Sequence, residues 1–326
     1  MRVVCLPGDG IGPEVMEQAV RVLEALPLEV ELETRVFGGS AIDATGEPLP
    51  AETLDACRGA DAVLLGAVGG PKWDRGGPRP EAGLLALRKA LDVYANLRPA
   101  GPVMVVRELV GGLYFGERGT RADGTVFDTC EYTAAQVERI ARRGFELARS
   151  RREMLVSVDK ANVLDTSRLW RRVVTELAAD YPEVELRHAL VDSFAMELVG
   201  PLDGLDVVVT ENLFGDILSD LAAAVTGGLG LAASASLGDS GPGIFEPVHG
   251  SAPDIAGTGT ANPAAMLRSL ALMLDHALGR PDLAAALAEA VDHVLRSDPT
   301  PDQGGEATTA RFGDAVLEAL ARQAVR

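Results

Sequence analysis

The chain has 326 residues, enough for one large α/β unit or about two domains, and 47% of them are apolar, so a sizeable core can be buried. It carries 30 basic against 48 acidic residues, and a net charge of −18 excludes a general nucleic-acid binder. Three widely spaced cysteines, Cys5, Cys57 and Cys130, exclude a disulfide framework and read as reduced thiols of a cytoplasmic protein.

In chain order, the apolar run "RVVCLP" leads into "GDGIGPEV" and a helical pattern over 13–26. Three glycines here invite comparison with the dinucleotide fingerprint G-x-G-x-x-G, but the position that needs the third glycine is Pro13. Proline suits the first turn of a helix, so this is a tight strand-to-helix turn and not a Rossmann fingerprint. "VELETRVF" precedes a helix over 50–58, and "AVLLGAV" precedes one over 81–92. "MLVSVDK" precedes a helix over 166–179, and "DVVVT" one over 214–225. The last third reads as helices over 263–278, 281–296 and 307–325. Alternation of this kind predicts βαβ units and a largely parallel sheet covered by helices. The stretch 113–133 departs from it: apolar and polar residues alternate around Asp123-Gly124, a hairpin pattern that needs something to pack on. "ASLGDSGPG", 235–243, reads as a flexible loop. No secretory h-region opens the chain, and the uncharged run 221–237 is too short and too rich in Ala, Gly and Ser to span a membrane.

Four stretches carry candidate chemistry. In "FGDILSD", Asp216 and Asp220 are four residues apart, so on a helix the carboxylates lie ~40° apart on one face. They make either a solvated acidic face or a pair of hard oxygen ligands for Mg²⁺ or Mn²⁺. In "PEAGLLALRK", Glu81, Leu84, Leu85 and Arg88 share one helix face, mixing charge with branched aliphatics. Arg98 and Arg107 follow at strand ends; each alone suits a surface, but three arginines together suit bidentate capture of a polyacid's carboxylates. Only three lysines occur, and Lys160, in "SVDKANVL", sits at the carboxyl end of a strand, where open α/β sheets bind ligands. Lysine can lose its proton when buried and arginine cannot. Finally, 243–263 has no period yet carries Glu246, His249, Asp254 and Asn262 among glycines and prolines, as a formed functional loop would. His249 lacks a second nearby His or Cys for zinc, and Asn262 before Pro263 reads as a helix N-cap.

Taken together, "PGDGIGPE", "LLGAVGGPKWD", "GLLALRK", "NLRPA", "VREL", "VDKANVL", "NLFGDILSD" and "EPVHGSAPDIAGTGTANP" resemble the isocitrate/isopropylmalate family of β-decarboxylating dehydrogenases, from residue 3 to about 305. The resemblance implies an α/β two-domain fold with a large mixed sheet flanked by helices. Residues 1–93 with 227–326 would form the cofactor-binding domain. Residues 94–226 would form the substrate, metal and dimerisation domain, with the arm 113–133.

It also implies an active site. Arg88, Arg98 and Arg107 would hold substrate carboxylates, and Leu84 and Leu85 would wall the pocket for an isopropyl-sized branch. Asp216 and Asp220, with Asp192 of a second subunit, would hold Mg²⁺ or Mn²⁺. Lys160, also from the second subunit, would be the general base, and Tyr114 the acid. Ile11, Glu246, His249, Gly250, Ser251, Ala252, Asp254, Ile255 and Asn262 would line the NAD site, Asp254 repelling the extra phosphate of NADP. The implied reaction is oxidative decarboxylation of 3-isopropylmalate by a homodimer with shared sites. Another alkylmalate, malate or tartrate, a non-catalytic regulatory relative, and a metal-dependent phosphate-ester hydrolase are the alternatives. One departure stands out: the family carries a longer segment between "NLRPA" and "VREL", where this chain has only Gly101-Pro102 before "VMVVREL". So short a link allows an antiparallel neighbour but not a parallel one, and it puts the relative placement of Arg98 and Arg107 in question.

Overall fold

The computed structural model describes residues 1–74 and 76–324. Its strands are β1 (Arg2–Gly8), β2 (Glu31–Thr34), β3 (Ala62–Ala67), β4 (Ala95–Ala100), β5 (Val103–Glu108), β6 (Arg118–Thr120), β7 (Val126–Asp128), β8 (Met154–Asp159), β9 (Glu185–Leu190), β10 (Val207–Thr210), β11 (Ala233–Leu237) and β12 (Gly243–Pro247). Its helices are α1 (Gly12–Ala25), α2 (Gly39–Thr45), α3 (Ala51–Arg58), α4 (Pro80–Ala90), α5 (Ala134–Arg149), α6 (Asp165–Leu177), α7 (Val191–Leu198), α8 (Asn212–Val225), α9 (Ala264–His276), α10 (Pro281–Ser297) and α11 (Thr309–Ala324). The chain divides into two compact units, Met1–Leu91 with Leu229–Arg326, and Asp92–Gly228.

In the first unit the strand order is β2-β1-β3-β12-β11, parallel except for the β11–β12 pair. β3 is buried along its whole length, which is why it reads as an unbroken apolar run. Val3, Val4, Leu6, Leu64, Leu65, Ile244 and Phe245 are at most 1% exposed and form the interior. Two segments differ from the sequence expectation. Residues 235–243 are not one loop: Ala235 and Ser236 pair with Phe245 and Ile244, and only 238–242 turn. The same pairing makes Gly243–Pro247, read as aperiodic, a buried strand. The small residues of β11, and the two apolar residues Ile244 and Phe245 set between Gly243 and Glu246-Pro247 in β12, are too few to show a strand period. α2 was also unforeseen, because Gly38-Gly39 reads as a turn; Gly38 has φ +72°, a left-handed conformation that starts the helix.

In the second unit the order is β4-β5-β10-β8-β9, with β4–β5 antiparallel and the rest parallel. Val103, Val105, Val156, Val158, Val208, Phe194, Leu198 and Leu218 pack into its core. The two-residue link makes a tight hairpin. Ala100 faces Val103 across it, Gly101 has φ +56°, and Asn96 lies opposite Arg107. The short link thus closes the strands at the end away from Arg107, about 13 Å along β5, and leaves the register of the two arginines intact. Arg151 closes the turn from outside: its Nη2 donates to the Pro102 carbonyl at 2.9 Å, and its Nε to the fully buried Asp206 at 2.7 Å. The expected hairpin arm is shorter than 113–133. β6 and β7 pair over 118–128, with Gly124 at φ +86° in the turn, and Tyr114 lies in a single 3₁₀ turn, Gly112–Tyr114, ahead of it.

Among the described residues no helix is long and apolar enough to cross a membrane.

Candidate active site

The second unit gathers two of the predicted arginines, the acidic pair and the tyrosine. α8 begins at Asn212 beneath the N-cap Glu211, whose side chain accepts from the Phe214 amide at 3.0 Å. That start puts Asp216 and Asp220 on one face, turned toward the end of β5 and toward β4. Arg107, 2% exposed, donates from Nη1 to Asp216 Oδ1. Arg98 reaches Asp220 Oδ1 at 3.1 Å and Asp216 Oδ1 at 3.5 Å, while its Nε rests on Asn96. Tyr114 donates its hydroxyl to Asp216 Oδ2 at 2.9 Å. Burial, and then the Asp216 carboxylate, push the Tyr114 phenol above its ordinary value and keep it protonated. Burial pushes Asp220 up as well, against the opposing pull of Arg98. The acidic pair is part-exposed and faces Arg98 and Arg107. Its charge is partly compensated by two guanidiniums, and the side chains of Asp216 and Asp220 remain 33% and 50% exposed.

Lys160 and Asp192 form a separate pair at 2.6 Å, Lys160 just after β8 and Asp192 in the first turn of α7. The hydrogen bond from Lys160 holds the Asp192 carboxyl below its ordinary value. Neither β9 nor α7, which positions Asp192, was foreseen: β9 alternates charge at a sheet edge and α7 spans only eight residues. Among the described residues no three His, Cys, Asp or Glu side chains gather as a metal cluster within one chain. Asp216 and Asp220 thus supply two oxygen donors, and Asp192 of the same chain does not complete them.

In the first unit, Arg88 near the end of α4 pairs with Glu246 of β12, Nη2 to Oε1 at 2.7 Å, both buried. Arg88 Nε is buried without a hydrogen-bond partner. Leu84 and Leu85 are half-buried on the same helix. The glycine turn after β1 is tied to the aperiodic segment: the Ile11 amide donates to the Ser251 carbonyl at 2.8 Å. A Cβ at Gly10 would lie 2.0 Å from that carbonyl oxygen, so only glycine fits. Gly250 is exposed and Ala252 takes φ +38°. The short turn Pro253–Ile255 then exposes Asp254 and Ile255. His249 meets the Gly250 carbonyl through Nδ1, its Nε2 is buried and unpartnered, and burial lowers its pKa. The cap expectation for Asn262 is modified: Pro263 is the N-cap of α9, and Asn262, one residue earlier, accepts from the Ala264 amide at 2.9 Å while donating to Asp302.

Two residues in these networks went unremarked in the sequence. Asp9 of "PGDG" is buried and accepts from the amides of Gly39, Ser40 and Gly69, gathering three loops. Asn212 is fully buried and takes Arg107 Nε and Nη2 on its Oδ1. Neither breaks a composition pattern, and what marks Asp9 is its place between turn glycines.

The model of the isocitrate/isopropylmalate dehydrogenases matches residues 2–103 and 101–316. The chain belongs to this family. The two matched segments overlap at 101–103, across the Gly101-Pro102 turn. A 3-isopropylmalate dehydrogenase of Bacillus cereus (strain ZK / E33L) is 50% identical over 346 aligned positions, more than this chain has residues, covering 99% of this chain and 98% of the relative. One of Oleidesulfovibrio alaskensis is 53% identical, covering 94% and 95%. Among solved structures, an isocitrate dehydrogenase from Methylococcus capsulatus superposes with a TM-score of 0.92 at 39% identity, covering 98% of this chain and 99% of that one. A beta-decarboxylating dehydrogenase from Thermococcus kodakarensis gives 0.86 at 41% identity, covering 99% and 97%. The fold is the family's α/β architecture, and the chain is a decarboxylating dehydrogenase.

Proposed function

We propose that this dehydrogenase oxidatively decarboxylates 3-isopropylmalate to 2-oxoisocaproate, using NAD and Mg²⁺ or Mn²⁺, as a cytoplasmic homodimer serving leucine biosynthesis. The observation that carries the reading is the cluster of Arg98, Arg107, Tyr114, Asp216 and Asp220 in one unit. It combines carboxylate capture, two hard metal donors and a protonated phenol.

The residues present fit both absent groups. Asp216 and Asp220 offer exposed oxygens to a divalent cation, and Asp192 of a second copy would complete the set. The unpartnered Nε2 of His249 and the exposed Asp254 suit a dinucleotide, with Ile11, Glu246, Gly250, Ser251, Ala252, Ile255 and Asn262 lining it. A divalent cation held there would supply Lewis-acid polarisation of the substrate hydroxyl and its neighbouring carboxylate, and NAD would supply the hydride acceptor. Arg98 and Arg107 would hold substrate carboxylates, a role the family resemblance also gives to Arg88. Lys160 takes the hydroxyl proton, and Tyr114 returns a proton to carbon after CO₂ leaves. Leu84 and Leu85 present an apolar wall to the isopropyl branch and nothing to pair with a third carboxylate, which disfavours isocitrate.

The dimer reading rests on exposed apolar side chains on α7, just after it and on α8: Met196 is 78% exposed, Val199 66% and Ile217 59%. The test is NADH formation with 3-isopropylmalate, malate, tartrate and isocitrate, each with Mg²⁺ and with a chelator. Metal-dependent turnover preferring 3-isopropylmalate supports the reading. Preference for isocitrate, or turnover indifferent to chelation, contradicts it.

A further inference from the structure

Asn212 joins two parts of the candidate site that the chemistry uses at different moments. Its Oδ1 accepts from both Nε and Nη2 of Arg107, at 3.0 and 2.7 Å. Its Nδ2 donates to the Gly111 carbonyl at 2.9 Å. Its backbone amide donates to the Tyr132 hydroxyl at 3.0 Å, which fixes the residue at the start of α8. The side chain is fully buried, so its polar groups are satisfied by protein alone.

Each partner leads to a reacting group. Arg107 continues through Nη1 to Asp216. Gly111 opens the turn that carries Tyr114, and it is held on both sides. Its amide donates to Glu108 Oε2 at 2.8 Å and its carbonyl accepts from Asn212. There is no slack at this point, because a Cβ on Gly111 would lie 2.8 Å from the Tyr132 ring and 3.0 Å from Glu108. Displacing the Gly111 carbonyl therefore displaces the turn, and with it the Tyr114 hydroxyl on Asp216.

We propose that Asn212 is a positioning residue for the dehydrogenase reaction, its amide oxygen setting the Arg107 guanidinium and its amide nitrogen setting the Tyr114 phenol. The roles given to Arg107 and Tyr114 rest on the reading under "Proposed function". The two halves of the amide can be separated chemically. Asn212→Asp keeps an acceptor for Arg107 and strengthens it by charge, but loses the donor and sets a carboxylate against the Gly111 carbonyl. Asn212→Ala loses both.

The experiment measures kcat, the KM of the hydroxy acid and the KM of NAD for the wild type, Asn212→Asp, Asn212→Ala, Tyr114→Phe and Asn212→Asp/Tyr114→Phe. Alongside, it follows hydrogen exchange at Arg107 Nε–H by NMR, a readout that needs no turnover. The expected results are a kcat about tenfold lower in Asn212→Asp with both KM values near wild type, and an added rise of about tenfold in hydroxy-acid KM in Asn212→Ala, as for loss of charge-assisted hydrogen bonds. In the Tyr114→Phe background Asn212→Asp has no further effect on kcat. Arg107 Nε–H stays protected in Asn212→Asp and exchanges faster in Asn212→Ala. Wild-type kinetics in Asn212→Asp, an undiminished effect of it on Tyr114→Phe, or equal Nε–H protection in the wild type and Asn212→Ala overturns the proposal. A wild-type enzyme that leaves 3-isopropylmalate unreacted, yet shows the expected exchange pattern, refutes the functional reading and not the role in setting Arg107.

Discussion

The match to the family divides at the two-residue β4–β5 link, and Gly101→Ala tests whether the chain turns there in the left-handed conformation of Gly101. Gly101 has φ +56°, a left-handed conformation that costs a residue with a Cβ about 1–3 kcal/mol. An added Cβ would also lie 3.1 Å from Thr226 Cγ2, closer than ordinary contact. The two costs separate by mutation. Thr226→Ser removes the Cγ2 while keeping the hydroxyl bonded to the Ala222 carbonyl, so in the double variant the contact is relieved and the backbone cost stays. Asn at position 101 tolerates the left-handed region better than Ala and destabilises less, although it meets the same Thr226 contact. Trp170, 2% exposed on α6, reports unfolding of this unit by fluorescence in a Trp73→Phe background. In that background, urea unfolding gives Gly101→Ala a loss of about 1–3 kcal/mol, part of it restored by Thr226→Ser. Kinetic constants remain unchanged, because the turn closes the opposite end of β5 from Arg107. A loss below about 0.5 kcal/mol, or full recovery in the double variant, refutes the left-handed turn.

Two further outcomes follow from the geometry. Glu108 is fully buried, and burial pushes its carboxyl up to about 7 from an ordinary 4.5, against the pull of two backbone amides. The folded state therefore binds this proton more tightly than the unfolded chain. The stabilisation is complete below the unfolded value and is lost as pH rises from 4.5 through 7, on the order of 3 kcal/mol. Glu108→Gln cannot ionise, so its urea midpoint falls less than wild type's between pH 5 and 8; parallel curves contradict this. At the exposed turn Pro253–Ile255, Asp254→Arg raises the KM of NAD and lowers that of NADP. Unchanged preference in steady-state kinetics removes Asp254 from the cofactor site.

Much of the site was legible because its chemistry imposes local spacing. Asp216 and Asp220 are one helical turn apart, and the two-residue link after β4 permits only an antiparallel return, which is the pairing observed. What was illegible depends on neighbours remote in sequence. Asp192 was named through the family resemblance alone; the short helix α7 that carries it, and the edge strand of alternating charge before it, were not foreseen. β11 is a small-residue strand, and β12 has only Ile244 and Phe245 as an apolar pair, so neither shows a period and they pair only because the fold brings them together. Asn212 precedes the acidic pair without charge or period, and its importance becomes visible only when Arg107, 105 residues away, arrives beside it.

We propose a site completed by a second copy of the chain, with Asp216 from one chain and Lys160 and Asp192 from the other. The most direct measurement is NADH formation from 3-isopropylmalate by Lys160→Met, by Asp216→Asn, and by the two mixed after subunit exchange. Each variant alone is expected to be inactive and the mixture to regain activity, because a heterodimer carries one site with every residue intact. A mixture that stays silent after verified exchange, beside an active wild type, contradicts it.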